Sequence, residues 1–311
     1  MIRRAMNRPQ LRRRRETPLG WSLAAMLTPV LLSGCSAALL DTKGTIGHAN
    51  RTILIDSLAI MLAIVIPTIL ATFAFAWWFR AGNRKATYLP DWEFSGRIEM
   101  IVWAIPTMTI VLLGGVTWIS AHQLDPAQPI ASDTAAIDIQ VVSLDWKWLF
   151  IYPEHRVASV NELVVPAGRP LHFMLTSSSV MNTFFVPQLG SMIYTMNGMQ
   201  TELYLQADAP GTFRGISGHY SGEGFSDMRF DVKALSAEDF ARWVNKTREG
   251  KTTLDAASYT ELAKQSINIP SSTYGTVERD LFTQIVSQKL APGPGPELAR
   301  EGISAKPEIK P

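Results

Sequence analysis

Cysteine is almost missing from this chain: 311 residues hold one, Cys35. A lone thiol forms no internal disulfide, and the rest of the chain has no thiolate to offer a metal. Histidine is scarce too, with five residues, and His172 and His219 stand without partner ligands nearby in sequence, which argues against a metal site at either. Charge is sparse as well. Charged residues make up 18% of the chain, 29 basic against 27 acidic. Seven of the basic residues are arginines within the first fifteen positions, and removing residues 1–34 (seven Arg and Glu16) leaves 22 basic against 26 acidic. No basic patch remains for nucleic acid, and no internal repeat is found.

What is present begins with that basic leader. An uncharged stretch, Thr17 to Gly34, follows it and contains Leu23-Ala-Ala-Met-Leu27 and Val30-Leu-Leu32. A basic start, a short apolar run and small residues before the cut fit a secretory signal. Leu32-Ser33-Gly34-Cys35 resembles a bacterial lipobox. That resemblance implies cleavage after Gly34, a diacylglyceryl thioether on Cys35 and usually an added amide-linked acyl chain. The alternative is an uncleaved first helix with an incidental cysteine. Each acyl chain contributes ~0.8 kcal/mol per buried CH₂, so two or three hold a protein firmly to membrane lipid.

Two further apolar runs are long enough to span a bilayer. Ser57 to Phe79 is 23 residues without a charge, and Met100 to Ala121 is 22. A hydrocarbon core of ~30 Å needs about 20 helical residues. Pro67 and Pro106 lie inside the runs, where neighbouring helices can compensate the freed carbonyls. Trp77, Trp78 and Trp103 are interfacial anchors. The short loop between the runs carries Arg80, Arg84, Lys85 and Arg97, which places it in the cytoplasm and both ends of the hairpin outside. Everything after about His122 is then extracytoplasmic, on the same side as a lipid-bearing Cys35.

From Ile137 the pattern changes to short segments rich in β-formers: 137–142, 162–165, 171–176, 200–205 and 228–232. Pro166-Ala-Gly168, Ala209-Pro-Gly211 and Gly222-Glu-Gly224 punctuate them. About seven short strands in some 100 residues predict a β-sandwich or Greek-key barrel. After Leu235, Ser236-Ala-Glu-Asp239 reads as a capped helix start, with Phe240, Trp243 and Val244 at helical spacing. More helix is expected over 258–266 and 277–289, and a Pro-Gly-rich disordered tail after that.

Three blocks carry a family resemblance: Glu99-Met-Ile-Val-Trp-Ala-Ile-Pro106, Asp145-Trp-Lys-Trp148, and Val180-Met-Asn-Thr-Phe-Phe-Val-Pro-Gln-Leu-Gly190 with Gly215 to Met228. Together with the hairpin and the outer β domain they resemble subunit II of the heme–copper respiratory oxidases, from about Cys35 to Lys289. In the cytochrome c oxidase branch the third block holds a dinuclear copper centre. The resemblance places its two cysteines at Ser217 and Ser221, its histidines at Asn182 and Phe225, a backbone-carbonyl ligand at His219, and its methionine at Met228, the one side-chain ligand retained. Bridging thiolates are what hold such a pair of coppers. Neutral hydroxyls and a phenyl ring cannot, so the chain most resembles the quinol oxidase branch, subunit II of the cytochrome bo type.

That resemblance implies a membrane α plus all-β protein. Residues 1–34 would be a cleaved signal peptide, 35–122 a two-helix transmembrane hairpin and 123–235 a cupredoxin-like β-sandwich or Greek-key domain without copper ligands. By periodicity residues 236–290 would form a helical extension, and by composition 291–311 a disordered tail that is not part of the resemblance. It implies a non-redox subunit of a proton-pumping ubiquinol oxidase in the bacterial inner membrane, its C-terminal domain facing the periplasm. No catalytic residue and no cofactor fall to this chain. Heme b, heme o and copper belong to subunit I, ubiquinol is the substrate of the complex, subunits III and IV are further partners, and cytochrome c is not one.

Single residues carry competing readings. Glu99 lies where relatives have a glutamate near a proton entrance to subunit I, and the block around it favours that role over an interfacial carboxylate paired with Arg97 or solvated. Asp56 reads as an interfacial or helix-pairing group. Trp146 sits where copper-bearing relatives pass electrons inward, and with no copper behind it packing against subunit I is expected. Two other protein classes fit parts of the sequence. One is a membrane lipoprotein whose cupredoxin-like domain serves binding or assembly, which leaves the Glu99 block without a use. The other is a copper electron carrier, which the missing thiols oppose.

Overall fold

The computed structural model describes residues 38–87 and 89–295. The expected leader, Cys35 and residues 296–311 lie outside the described residues.

Two long helices come first, α1 (Thr45–Trp78) and α2 (Gly96–Gln123). At 1.5 Å per residue, 34 residues reach about 51 Å, well beyond the ~30 Å of a bilayer core. The surplus lies at the start of α1, where the uncharged run has not yet begun. There the chain sits on the β domain. Lys43 N–H donates to the Gln188 carbonyl (2.7 Å), Gly47 N–H to that of Leu189 (2.9 Å), and Asp208 N–H to that of Lys43 (3.0 Å). His48 Nε2 lies 3.1 Å from the Asp208 carboxylate.

Further along, both helices expose apolar side chains on all sides and run through Pro67 and Pro106 unbroken. Thr68, Thr72, Thr107, Thr109 and Thr117 turn their hydroxyls back onto carbonyls four residues earlier, at 2.7–2.9 Å. Those hydroxyls are thereby satisfied without water, as a lipid environment demands.

The β domain is a two-sheet sandwich. One sheet comprises β1 (Ile137–Leu144), β2 (Lys147–Tyr152), β3 (Val157–Val160), β5 (Leu171–Ser177), β8 (Thr201–Leu205) and β12 (Ser272–Tyr274). The other comprises β4 (Glu162–Pro166), β6 (Asn182–Phe185), β7 (Met192–Thr195), β9 (Gly211–Ser217) and β10 (Arg229–Leu235). The six strands of the first lie in the order β12-β3-β2-β1-β5-β8, and the five of the second in the order β4-β10-β9-β6-β7. Most pairs are antiparallel, but β1 with β5 and β4 with β10 run parallel. Between the sheets Trp148, Phe150, Phe173, Phe184 and Phe230 form one aromatic cluster, with ring centroids 5.2–5.5 Å apart for Trp148–Phe184, Phe150–Phe230, Phe173–Phe184 and Phe184–Phe230.

Strand β2 explains a reading that periodicity could not make. All six of its residues, Lys147-Trp-Leu-Phe-Ile-Tyr152, are buried, so apolar and polar positions do not alternate. The cause is a third layer. The outer face of the six-stranded sheet, with Val142, Leu144, Leu149, Ile151, Ala158 and Val160, is covered by Leu254, Tyr259, Leu281, Phe282 and Ile285 of the C-terminal segment. A strand buried on both faces reads as a continuous apolar run. At about 1.5–3 kcal/mol per large side chain, that layer contributes on the order of 10 kcal/mol before the entropy of ordering it is subtracted.

The segment after Leu235 is less helical than the sequence predicts. Helix α3 (Ala237–Arg248) starts as expected, the Ser236 hydroxyl accepting from Asp239 N–H at 3.1 Å. Helices α4 (Ala256–Leu262) and α5 (Leu281–Val286) are short. Between and around them lie β11 (Thr253–Leu254) paired with β13 (Thr276–Val277), and β12, which extends the sandwich by pairing with β3. Residues 291–295, placed by composition in the tail, instead lie on the β domain. Gly293 N–H donates to the Ser178 carbonyl (2.8 Å) and Gly295 N–H to the Asp145 carboxylate (3.0 Å).

Candidate functional site

The loop that joins β9 to β10 and the start of β6 bring five of the six positions named from the resemblance together. Ser217 ends β9, and its N–H donates to the Met228 carbonyl (3.2 Å), closing the loop at its base. Gly218 N–H donates to the Thr183 carbonyl (3.1 Å), tying the loop to β6 beside Asn182. The Ser217 hydroxyl lies within donating distance of Asn182 Oδ1 (3.2 Å) and of the His219 carbonyl (3.3 Å). The Ser221 hydroxyl reaches Met228 Sδ at 3.9 Å. Asn182, Ser217, Ser221 and Met228 are all buried. Phe225 is the exception, its ring lying edge-on to Tyr220 (5.6 Å).

The donor chemistry of this cluster does not fit a dinuclear copper centre. It offers two neutral hydroxyls, one carboxamide, one backbone carbonyl and one thioether, with neither thiolate nor imidazole, and the hydroxyls direct their protons at Asn182, the His219 carbonyl and the Met228 sulfur. Among the described residues no group of three or more His, Cys, Asp or Glu side chains is placed to hold a metal ion.

Trp146 closes the site from the side, and in a different manner from the packing against subunit I that the sequence suggested. It occupies the two-residue turn between β1 and β2 with φ 64°, a left-handed conformation that costs a bulky residue about 1–3 kcal/mol. What holds it there is the loop itself. The indole N–H donates to the Ser221 carbonyl (3.0 Å), and the ring packs on Gly224, where an added Cβ would come within 2.5 Å of it. Trp146 is 6% exposed, so its ring is committed to its own domain.

Its neighbours in the turn were not singled out by the sequence, although a charged pair flanking a tryptophan in a buried strand was the available signal. Asp145 and Lys147 are both buried. Asp145 accepts from the Ser179 hydroxyl and from Gly295 N–H. Lys147 Nζ donates to the Lys264 carbonyl and the Ser266 hydroxyl, 2.5 Å each. Burial pushes the Lys147 ammonium down to about 8, with Asp145 pulling the other way.

His172 also gains partners. Cross-strand register sets it beside Asp138 (Nδ1 to Oδ1, 2.8 Å) and flat on Tyr204 (4.6 Å), with Glu202 3.6 Å from Nε2. His219 meets Tyr194 edge-on at 6.1 Å. Glu99 is exposed in the first turn of α2, and Asp56 is exposed on α1.

Comparison with known proteins matches these features. The chain is 48% identical over 271 residues to the cytochrome bo(3) ubiquinol oxidase subunit 2 of Pseudomonas aeruginosa, covering 87% of this chain and 81% of that protein. It is 45% identical to the ubiquinol oxidase subunit 2 of Acetobacter aceti, covering 86% and 87%. This chain belongs to the ubiquinol oxidase subunit 2 family. It is thus a membrane-bound subunit of a ubiquinol oxidase complex, with two candidate spans and an extramembrane β-sandwich domain. Residues 248–293 match the model of the COX Aromatic Rich Motif, which covers the third layer. Among solved structures, the periplasmic domain of a cytochrome oxidase subunit II from Bradyrhizobium japonicum aligns with 39% of this chain and 98% of its own, at 22% identity and a TM-score of 0.36.

Proposed function

We propose that this subunit 2 is non-redox: it supports subunit I of a proton-pumping ubiquinol oxidase and passes no electrons itself. The observation that carries the reading is the hydrogen-bonded cluster of Asn182, Ser217, Ser221 and Met228, which fills the space where a copper pair would need thiolates and imidazoles. Electrons from a membrane-dissolved quinol can enter subunit I directly, so no outer copper relay from cytochrome c is required. Heme b, heme o and copper then lie in subunit I, and this chain contributes fixed backbone, apolar helix faces and its outer domain. Subunits III and IV complete the assembly.

In the same reading the protein sits in the bacterial inner membrane. Residues 1–34 are removed and Cys35 carries lipid on the periplasmic side. The hairpin occupies 35–122, the metal-free cupredoxin-like domain 123–235, and the extension 236–290. Glu99 stands at the cytoplasmic end of α2, where a carboxylate exposed to water captures protons for the entrance of a pathway in subunit I.

The test is to put the ligands back. A chain carrying Asn182→His, Ser217→Cys, Ser221→Cys and Phe225→His presents five side-chain ligands with Met228. It is expected to take up copper and to show the intense visible absorption of copper–thiolate bonds, although the imidazole introduced by Phe225→His has to leave the contact that Phe225 makes with Tyr220. The unaltered chain is expected to bind no copper in its outer domain. Two tightly held coppers in that domain of the unaltered chain would overturn the reading.

A further inference from the structure

We infer that the aromatic-rich C-terminal segment is an internal brace for the Ser217–Met228 loop, with residues 291–295 as the strap that closes it. The inference extends the reading of a metal-free loop but does not depend on it, since the brace is built from contacts outside the loop.

The Asp145-Trp146 turn is gripped from two sides. On one side Trp146 holds the loop, through its indole N–H on the Ser221 carbonyl and its ring on Gly224. On the other side the C-terminal segment holds the residues either side of Trp146. Gly295 N–H donates to Asp145, and the Gly295 carbonyl accepts from Gln265 Nε2 (2.8 Å). Lys147 is held by Lys264 and Ser266. Asn161, whose Oδ1 accepts from Trp148 N–H (2.9 Å), donates through Nδ2 to the Ile269 carbonyl (3.1 Å).

The strap also reaches the Asn182 end of the site. Gly293 N–H donates to Ser178. The Ser179 hydroxyl donates to Asp145, the Ser177 hydroxyl to the Val180 carbonyl (2.6 Å), and Asn182 Nδ2 to that same carbonyl (3.3 Å). Asn182 then accepts from Ser217. Ser179 N–H donates to the Ser177 hydroxyl (3.2 Å), so a connected path runs from Gly295 through Asp145, Ser179 and Ser177 to the Asn182 wall of the loop, with Gly293 pinned alongside it on Ser178.

The physical need for the strap is the buried carboxylate. Among the described residues Asp145 has two hydrogen-bond donors, and one of them is Gly295. A buried charge deprived of a donor has to find water. Water can enter where Gly295 lay, and the turn then loses its hold on that side, with the strained Trp146 next in the chain and packed on Gly224. Between Ser217 and Met228 the loop itself has few backbone bonds, chiefly Gly218 to Thr183 and the single 3₁₀ turn at Glu223–Asp227. It has little else to keep its shape.

Amide hydrogen exchange, measured by mass spectrometry on the purified oxidase complex, tests this. Two chains are compared with the full-length one, the first ending after Leu290 and the second after Gly295. Ending after Leu290 should speed exchange about tenfold or more in peptides covering 143–149, 178–183 and 217–228, and leave 162–175 unchanged. Ending after Gly295 should match the full-length chain. Equal exchange in all three chains, equal acceleration by both truncations, or acceleration that includes 162–175 would overturn the inference. If the Leu290 chain does not accumulate, Gln265→Ala decides, because it frees the strap's carbonyl at full length. It should speed exchange in the same three peptides by a smaller factor, and no change there would overturn the brace.

Discussion

Lys147 is a buried ammonium whose pKa has dropped from 10.5 to about 8, and the direction of that shift fixes how stability must vary with pH. Below pH 8 the lysine is charged in both the folded and the unfolded chain, so folding carries the whole cost of burying the charge. Between 8 and 10.5 the folded state sheds its proton first, the unfolded state holds more protons, and stability rises with pH. The shift corresponds to at most about 3–4 kcal/mol, and with solvent screening roughly 1–2 kcal/mol is expected. Tyrosines bound the window from above. Tyr259 is pushed up to about 12 by burial, and Tyr152 is raised by burial as well. Their unfolded counterparts ionise first, so stability falls once pH exceeds about 10. Lys147→Met isolates the lysine. It leaves Lys264 and Ser266 short of a donor, a cost that does not vary with pH, and removes the titrating group. The assay is urea unfolding at pH 7, 8, 9 and 10 of a fragment running from Asp125 to Gly295, which retains every strand of both sheets. The unaltered fragment should gain stability relative to Lys147→Met by about 1–2 kcal/mol between pH 8 and 10. Parallel pH profiles, or a gain in the opposite direction, would refute the argument.

Two further outcomes follow from single contacts. Gly224→Ala puts a methyl group into the Trp146 ring, so unfolding of the same fragment should show a loss of about 1–3 kcal/mol, and an unchanged midpoint would show that the ring is free to move. Glu99→Ala should slow quinol oxidation by the assembled complex about tenfold or less, or ~1.4 kcal/mol in a barrier, with the heme spectrum intact. Glu99→Asp should retain more activity than Glu99→Gln, and equal turnover in all three would reduce Glu99 to an interfacial anchor.

Much of this protein is determined by its sequence alone, because the signals are local. Charge-free runs over 57–79 and 100–121 dictate spanning helices through length and transfer energy, with no need of tertiary contacts. The absence of thiols beyond Cys35 rules out a dithiolate copper pair wherever the loop lies, since no fold can supply a missing ligand type. Strands with one wet face, such as β8 and β10, show their alternation in the sequence. What the tertiary structure decided rests on contacts between distant segments. Strand β2 lost its alternation because the 248–293 segment covers its second face, roughly 100 residues further along the chain. Residues 291–295 read as tail because Pro and Gly have no periodicity, and only the buried donors and acceptors of Asp145, Ser178 and Gln265 give them a place. The orientation of Trp146 was likewise beyond the sequence, since a left-handed tryptophan is tolerated only where the fold supplies Gly224 and the Ser221 carbonyl to hold it.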